Sequence, residues 1–274
     1  MSPVTNITHK EFVLLSEYIE THYGIHLGEE KQTLLVGRLQ NVLVQLGFQS
    51  FMDYYNYLIA DKSGEVGVTL VDRISTNHTY FMRETKHFHY FRDKVLPYLM
   101  FSVKDKDLRI WCAASSTGEE AYTLAMIVDE FLGKEKIWWD AKILATDISS
   151  NVLDIAQKGI YSFEQIAPLP IQWRSQYFNK YDNESAIITD KIKNEVLFRK
   201  FNLVDNVFPF KKKFHVIFCR NVMIYFEIKT KEILLDKLYD MLNYGGYLFI
   251  GHSESINRET SKFKYICPAV YRKE

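Results

Sequence analysis

Residues 108–133 read LRIWCAASSTGEEAYTLAMIVDEFLG, and their pattern is the clearest indication of the fold class. The run LRIWCAA predicts a strand, and EEAYTLAMIVDEFLG predicts a helix. The same succession recurs in KILATDI with SNVLDIAQKG and in FHVIFCRN with IKTKEILLDKLYDMLNYG, while YLFIGHSE predicts a further strand. Strands that alternate with helices predict a parallel sheet covered on both faces, a doubly wound, Rossmann-like α/β domain over residues 96–274.

The chain before this domain has only helical patterns. Thr8 and Glu11 match a capping box, and apolar residues then recur at helical spacing as far as Tyr23. Three more helices are predicted, over residues 29–45, 51–60 and 66–74. We therefore predict a small all-α N-terminal domain over residues 1–75 and a linker over residues 76–95.

Residues 177–201 break the alternation of strands and helices. The stretch QYFNKYDNESAIITDKIKNEVLFRKFN predicts two or three short antiparallel strands, with turns at Asp182-Asn183 and Lys193-Asn194. We interpret it as a small β-subdomain inserted in the α/β domain.

Composition excludes several classes of function. Lys and Arg together number 34, as do Asp and Glu, so net charge gives no pull towards nucleic acid or an anionic membrane. No run approaches the roughly 18 apolar residues of a membrane helix, and no signal peptide is predicted, so the cytoplasm is the expected compartment. Cys112, Cys219 and Cys267 form no Cys-x-x-Cys pair, and no zinc motif of histidines occurs, so no metal site is predicted.

In open α/β sheets, ligands bind beyond the carboxyl ends of the strands, so the strand-to-helix junctions are the candidate sites. The first junction lacks both the dinucleotide glycine fingerprint and the lysine of a P-loop. Its acidic pair, Glu119 and Glu120, would repel a pyrophosphate and suits a cationic or hydroxyl-bearing ligand. The pair could instead only complement the helix dipole. Asp147, at the end of the second strand, could bind ribose hydroxyls or cap the next helix.

Two later junctions carry further polar side chains. Asn202 and Leu203 follow one strand-like run, and Arg220 and Asn221 end another, with Tyr225 close behind. The asparagines could hydrogen-bond an adenine edge while Leu203 packs on its face. Together these positions suit a cofactor that contains a nucleoside.

The linker ISTNHTYFMRETKHF is the last unusual segment. Asn77, Thr79 and Arg83 stand among aromatic residues and could reach a ligand. The same pattern also fits the start of an amphipathic helix, with Thr76 or Asn77 as its cap and Arg83 in solvent.

Five segments give the chain a specific resemblance: TNHTYFMRETKHF, AASSTGEEAY, ATDISSNVLDIAQKGIY, FCRNVMIYF and GGYLFIGHSES. Over nearly its whole length, the chain resembles the chemotaxis receptor methyltransferases, the CheR family. The resemblance implies a helical domain followed by a Rossmann-like methyltransferase domain with an antiparallel insert. It also implies an S-adenosylmethionine-dependent protein-glutamate O-methyltransferase that esterifies glutamates on the cytoplasmic helices of chemotaxis receptors during sensory adaptation, leaving S-adenosylhomocysteine.

Carried over by motif, the resemblance implies roles for particular residues. Glu120 would take the α-ammonium of the cofactor, and Asp147 would hold its ribose. Arg83 and Tyr225 would act as the catalytic residues, nearest the methyl group and the incoming glutamate. The implied cofactor-binding residues are Asn77, Thr79, Arg83, Glu120, Asp147, Asn202, Leu203, Arg220 and Asn221. A cytoplasmic monomer recruited to membrane receptor arrays is expected.

One feature departs from the family pattern, in which basic helices of the N-terminal domain face acidic receptor helices. Residues 1–75 hold five Lys and Arg against nine Asp and Glu, which leaves four net negative charges. Electrostatic steering is correspondingly weakened, and the β-insert could instead bind a receptor segment by strand addition. Two alternatives stay open: a methyltransferase of another substrate, and a non-catalytic module that senses the cofactor in a receptor array.

Overall fold

The computed structural model describes residues 6–75 and 77–274. It divides into two compact units. The first contains the described part of residues 1–76 together with Asn202–Val204 and Tyr225–Lys231, and the second contains the rest. Among the described residues, no helix is long and apolar enough to cross a membrane.

The first unit is helical, as predicted. The capping box at its start is present: Thr8 Oγ1 accepts from the N–H of Glu11, and the carboxylate of Glu11 accepts from the N–H of Thr8 at 2.8 Å. Gly24, with φ of 71°, ends the first helix in the left-handed conformation that glycine adopts without steric cost. The helices are α1 (His9–Tyr23), a 3₁₀ turn (Glu29–Lys31), α2 (Gln32–Leu46), α3 (Phe51–Ala60) and α4 (Glu65–Ile74).

The second unit is built on a sheet that has seven strands among the described residues, in the order β6-β2-β1-β7-β8-β10-β9. Strands β6, β2, β1, β7 and β8 run parallel, whereas β10 pairs antiparallel with β8 and β9. The strands of the chain are β1 (Ile110–Cys112), β2 (Ile143–Asp147), β3 (Ile160–Ser162), β4 (Phe178–Lys180), β5 (Ser185–Ile188), β6 (Val196–Lys200), β7 (Phe214–Phe218), β8 (Leu242–Phe249), β9 (Lys264–Cys267) and β10 (Val270–Arg272).

This topology confirms the doubly wound, Rossmann-like prediction and locates its ligand crevice. From β1 the chain moves outward to β2 and β6, then crosses back to β7 on the other side of β1. The strand order therefore reverses between β1 and β7, which is where open α/β sheets bind ligands. The remaining helical segments are α5 (Thr85–Tyr90), a π-helical turn (Phe91–Val95), α6 (Leu96–Ser102), α7 (Glu119–Leu132), a 3₁₀ segment (Gly133–Trp138), α8 (Ser150–Lys158), α9 (Phe163–Ile166), α10 (Ile171–Tyr177), α11 (Asp190–Lys193), a 3₁₀ turn (Met223–Tyr225) and α12 (Ile228–Met241).

The small antiparallel sheet exists, but its extent differs from the predicted 177–201. Its strand order is β3-β5-β4, so it begins at Ile160. The last predicted strand, Val196–Lys200, is instead the parallel edge strand β6 of the main sheet. In β6, Val196 and Phe198 are buried while Leu197, Arg199 and Lys200 are exposed. This alternation of buried and exposed residues is typical of an antiparallel strand, which is why the sequence predicted one here. Lys193-Asn194 ends α11 and is not a hairpin turn.

The predicted linker, residues 76–95, also needs correction. Helical structure begins at Thr85 and continues through the π-helical turn to Ser102, so the predicted boundary at residue 96 falls inside a continuous helical run. Asn77 does not cap this run, because Glu84 is the residue that precedes it. The alternative cap, Thr76, lies outside the described residues.

Candidate functional site

The guanidinium of Arg220 is the centre of the site at the reversal point of the sheet. Arg220 lies two residues beyond β7, and its side chain has no solvent exposure. Nη1 donates to Glu120 Oε2 at 2.5 Å, and Nη2 donates to Glu84 Oε2 at 3.0 Å and to the carbonyl of Arg83 at 2.6 Å. A buried arginine needs such partners, because an unpaired charge away from water costs several kcal/mol.

Glu84 is the acidic partner supplied by the segment before α5. Besides Arg220, it accepts from Asn221 Nδ2 at 3.1 Å and from the N–H of His252 at 3.1 Å. Burial raises the pKa of Glu84, but the bond from Asn221 and the charge of Arg220 outweigh it and lower that pKa to about 2. Glu84 is therefore ionised throughout the neutral range.

The loop after β7 is held by a second carboxylate, that of Glu254. It accepts backbone N–H groups from Gly251 at 2.5 Å, Asn221 at 3.0 Å, Val222 at 3.0 Å and Met223 at 2.7 Å. Asn221 has φ of 58°, a left-handed conformation that costs a non-glycine residue free energy. Glu254 offsets that cost, because it holds the loop in this conformation.

The first junction separates the two members of the acidic pair. Glu120 lies beside the strand end: its Oε1 accepts from the thiol of Cys112 at 3.2 Å while Oε2 takes Arg220. Glu119 is buried and accepts from the hydroxyl of Thr117 at 2.7 Å, and burial raises its pKa. Of the two, Glu120 is therefore the one that contacts both the end of β1 and Arg220.

Asp147 joins the first two loops at the end of β2. Its Oδ2 accepts from the N–H of Ser116 at 2.8 Å and its Oδ1 from the N–H of Ser149 at 3.1 Å. The helix that follows is capped by Ser149, whose Oγ accepts from Val152, so the interpretation of Asp147 as an N-cap is wrong. Ser116 also donates to the carbonyl of Asn77 at 3.1 Å, which brings the start of the linker to this junction.

The linker turns sharply before α5. Met82 and Glu84 have φ of 60° and 59°, and Arg83 between them points its Nη1 at the carbonyl of His78, 2.6 Å away. Arg83 is half-buried rather than solvated, and Thr79 is half-buried as well. The segment therefore adds both a polar side chain and a backbone acceptor to the site of Arg220.

Three predicted residues make their contacts within the helical unit instead. Asn202 Nδ2 donates to the carbonyl of His22 at 2.8 Å, and the carbonyl of Tyr225 accepts from the N–H of His26 at 2.8 Å. Leu203 is buried in the same unit. Their roles at the cofactor stay predictions.

Sequence reasoning missed Glu84 and Glu254. Both stand inside segments that carry the family resemblance, TNHTYFMRETKHF and GGYLFIGHSES, but neither glutamate was assigned a role. For Glu84 a usable signal did exist: an arginine that ends a buried strand requires acidic partners, and Glu84 is the acidic residue of the linker motif.

The donor set fits S-adenosylmethionine, whose amino-acid end is cationic and whose ribose offers two hydroxyls. Three carboxylates, of Glu84, Glu120 and Asp147, accompany the guanidinium of Arg220, so the crevice is net negative. Such a crevice favours the α-ammonium and the sulfonium. Asp147 stands at the end of the second strand, the position from which an acidic residue commonly binds ribose hydroxyls in folds of this class.

Comparison with known proteins agrees with this geometry over nearly the whole chain. Residues 77–271 match the family model "CheR methyltransferase, SAM binding domain", and residues 10–75 match "CheR methyltransferase, all-alpha domain". The chain is 42% identical to the chemotaxis protein methyltransferase of Borreliella burgdorferi, over 98% of this chain and 95% of that protein. It is 34% identical to that of Vibrio parahaemolyticus, over 97% and 96%, and 36% identical to chemotaxis protein methyltransferase Cher2 of Pseudomonas putida, over 90% of each. The chain therefore belongs to the CheR methyltransferase family, and its cofactor is S-adenosylmethionine.

Proposed function

We propose that this protein esterifies glutamate side chains of chemotaxis receptors, giving glutamate methyl esters and S-adenosylhomocysteine. The observation that carries the proposal is the buried Arg220, which fixes Glu120 beside the crevice between β1 and β7. The relatives at 34–42% identity are named chemotaxis protein methyltransferases, which supports the chemotaxis setting.

The cofactor supplies an activated methyl group on its sulfonium. A glutamate acceptor has an ordinary pKa of roughly 4.3 and is already an ionised nucleophile near neutral pH. The protein therefore needs no general base. Its residues have to orient the two reactants and exclude water, and positioning of this kind can contribute roughly 7–11 kcal/mol.

Glu120 is assigned the α-ammonium and Asp147 the ribose. Glu120 can take this role because Arg220 occupies Oε2 and Cys112 touches only Oε1, which leaves further lone pairs free for an ammonium donor. Burial raises the pKa of Cys112, so its thiol stays protonated and does not compete with the acceptor carboxylate for the methyl group.

Arg83 is assigned to the incoming carboxylate. One of the five N–H donors of its guanidinium is hydrogen-bonded to the carbonyl of His78. The remaining donors lie in the plane of the guanidinium, where two of them can bind a carboxylate side by side. Tyr225 is assigned to the same reaction on the family motif. The partner is a cytoplasmic receptor helix, and we expect the protein to act as a monomer in the cytoplasm at receptor arrays.

The test is methyl transfer from labelled S-adenosylmethionine by the full chain to receptor cytoplasmic fragments. We expect label that base releases as methanol, and we expect fragments with the acceptor glutamates replaced by glutamine to stay unlabelled. Base-stable label, or label on small carboxylates but not on receptors, would reject a receptor-glutamate substrate. Cofactor binding without transfer to any acceptor would support the sensory module instead.

A further inference from the structure

A group of three potential metal ligands lies beside the methyltransferase site. Ligand atoms of Glu84, His87 and His252 all lie within 4.8 Å of one another. His87 Nδ1 is 3.4 Å from Glu84 Oε2, and the rings of His87 and His252 meet edge to face with centroids 4.4 Å apart. The group joins the start of α5 to the loop after β8, which are 165 residues apart in the sequence.

His87 is the anomalous member of this group. It is 2% exposed, and neither ring nitrogen has a hydrogen-bond partner within residues 6–75 and 77–274. Buried polar atoms almost always have a hydrogen-bond partner, so two buried nitrogens without one on a single side chain indicate a ligand. A neutral imidazole nitrogen in this position offers a lone pair to a metal ion.

The spacing suits a small tetrahedral ion. Zinc binds imidazole nitrogen and carboxylate oxygen at about 2.1 Å, so two such ligands on one tetrahedral ion lie about 3.4 Å apart. The separation between His87 Nδ1 and Glu84 Oε2 has this value. Two histidines and one glutamate also form a known zinc ligand set that leaves a fourth position open.

The group has access to solvent. His252 is exposed, and both histidines line a cavity of about 400 Å³ next to the β9–β10 hairpin. The half-buried thiol of Cys267 lines the same cavity and adds a soft donor to its wall. An ion can therefore enter without unfolding of the sheet.

We propose that Glu84, His87 and His252 bind a divalent ion of the zinc class. The ion shares Glu84 Oε2 with Arg220, whose guanidinium is 3.0 Å away, and this positive neighbour weakens binding. We therefore expect a dissociation constant in the micromolar range, much weaker than that of a structural zinc site. The ion would bind the carboxylate of Glu84, which also holds Arg220, and Arg220 in turn holds Glu120. Ion binding should therefore also weaken cofactor binding.

The test is calorimetric titration of the metal-free full chain with ZnCl₂, followed by the visible absorption of the Co²⁺ form. We expect one ion per chain, intense cobalt bands typical of a tetrahedral site, and at least a tenfold loss of affinity in His252→Gln. His252 is exposed, so this variant should stay folded. His87→Gln should lose binding too, with circular dichroism as the check on its fold.

The matched control is His26→Gln, which disrupts a second group of closely spaced potential ligands among the described residues, Glu20, His26 and Glu227. We expect it to bind zinc like the unmodified chain. The proposal is overturned if the unmodified chain binds no zinc, if His252→Gln binds as tightly as the unmodified chain, or if His26→Gln is the variant that loses the ion. None of these readouts depends on methyl transfer, so they are separable from the receptor assay.

Discussion

The guanidinium of Arg220 and the carboxylate of Glu120 form a 2.5 Å ion pair that joins the loop after β7 to the first turn of α7. We expect Arg220→Met to lower the free energy of unfolding by about 3–5 kcal/mol, because it removes a fully buried cation from two largely buried carboxylates, those of Glu84 and Glu120. Urea denaturation measures the loss. Arg92→Met is the control, since it removes an exposed pair with Asp93 and should cost under about 1 kcal/mol. Equal losses in the two variants would contradict the central role of Arg220.

Glu120 is the residue whose charge should matter most for cofactor affinity. We expect Glu120→Gln to weaken S-adenosylhomocysteine binding by about 10–100-fold, because a charge-assisted hydrogen bond contributes roughly 1.5–3 kcal/mol. Isothermal titration calorimetry measures the change. Glu130→Gln alters an exposed carboxylate on the same helix and should bind normally. A normal affinity in Glu120→Gln would remove Glu120 from the ammonium site.

Arg83 should affect turnover far more than cofactor binding. We expect Arg83→Ala to lower kcat by roughly 100-fold or more, because the proposed task of the guanidinium is to orient the acceptor carboxylate. We expect the cofactor Kd to change by less than about threefold. Arg83→Lys should recover only part of the rate, since an ammonium cannot bind a carboxylate with two parallel bonds. Retained turnover together with weakened cofactor binding would refute this role.

His87 should make the protein sensitive to mild acid. Burial and the charge of Arg220 lower the pKa of His87 in the folded chain from its ordinary 6.5 to about 3. Between these two pH values, the unfolded chain therefore binds a proton at His87 that the folded chain does not. Above about pH 6.5 this difference has no effect on the free energy of unfolding, and below it that free energy falls as the pH drops towards 3. Between pH 7.5 and pH 5, the unmodified chain should lose about 2 kcal/mol more than His87→Gln does.

The measurement is urea denaturation at the two pH values, with a chelator present so that metal binding does not contribute. His89→Gln, at an exposed histidine two residues away, serves as the control and should keep the acid loss. If His87→Gln loses as much stability as the unmodified chain, the buried neutral state of His87 is excluded.

The parts of the fold that could be predicted are those with local signals. Strand-to-helix alternation, the capping box at Thr8 and the acidic end of β2 each depend on residues close together in the sequence. The edge strand β6 was misassigned because one of its faces is open, and its alternation of buried and exposed residues is what antiparallel strands show. Which sheet a strand joins is decided by long-range pairing that local pattern does not encode.

The site divides in the same way. The position of Asp147, Arg220 and Asn221 at one edge of the sheet could be predicted, because the ends of parallel strands meet there, while their roles at the cofactor stay predictions. Glu84 was missed because its partners, Arg220 and Asn221, are 136 and 137 positions away along the chain. His87 and His252 likewise show no motif, since their proximity arises only when the loop after β8 packs beside α5.

The carboxylate of Glu254 has a consequence for how this sequence can vary. It accepts from backbone N–H groups of Gly251 on one loop and of Asn221, Val222 and Met223 on the other, so the lengths of both loops are tied to a single side chain. An insertion or deletion between positions 221 and 223 would move donors away from their acceptor and shift Arg220 with them. Relatives that keep an acid here should therefore show no length variation in either loop, whatever substrate each of them methylates.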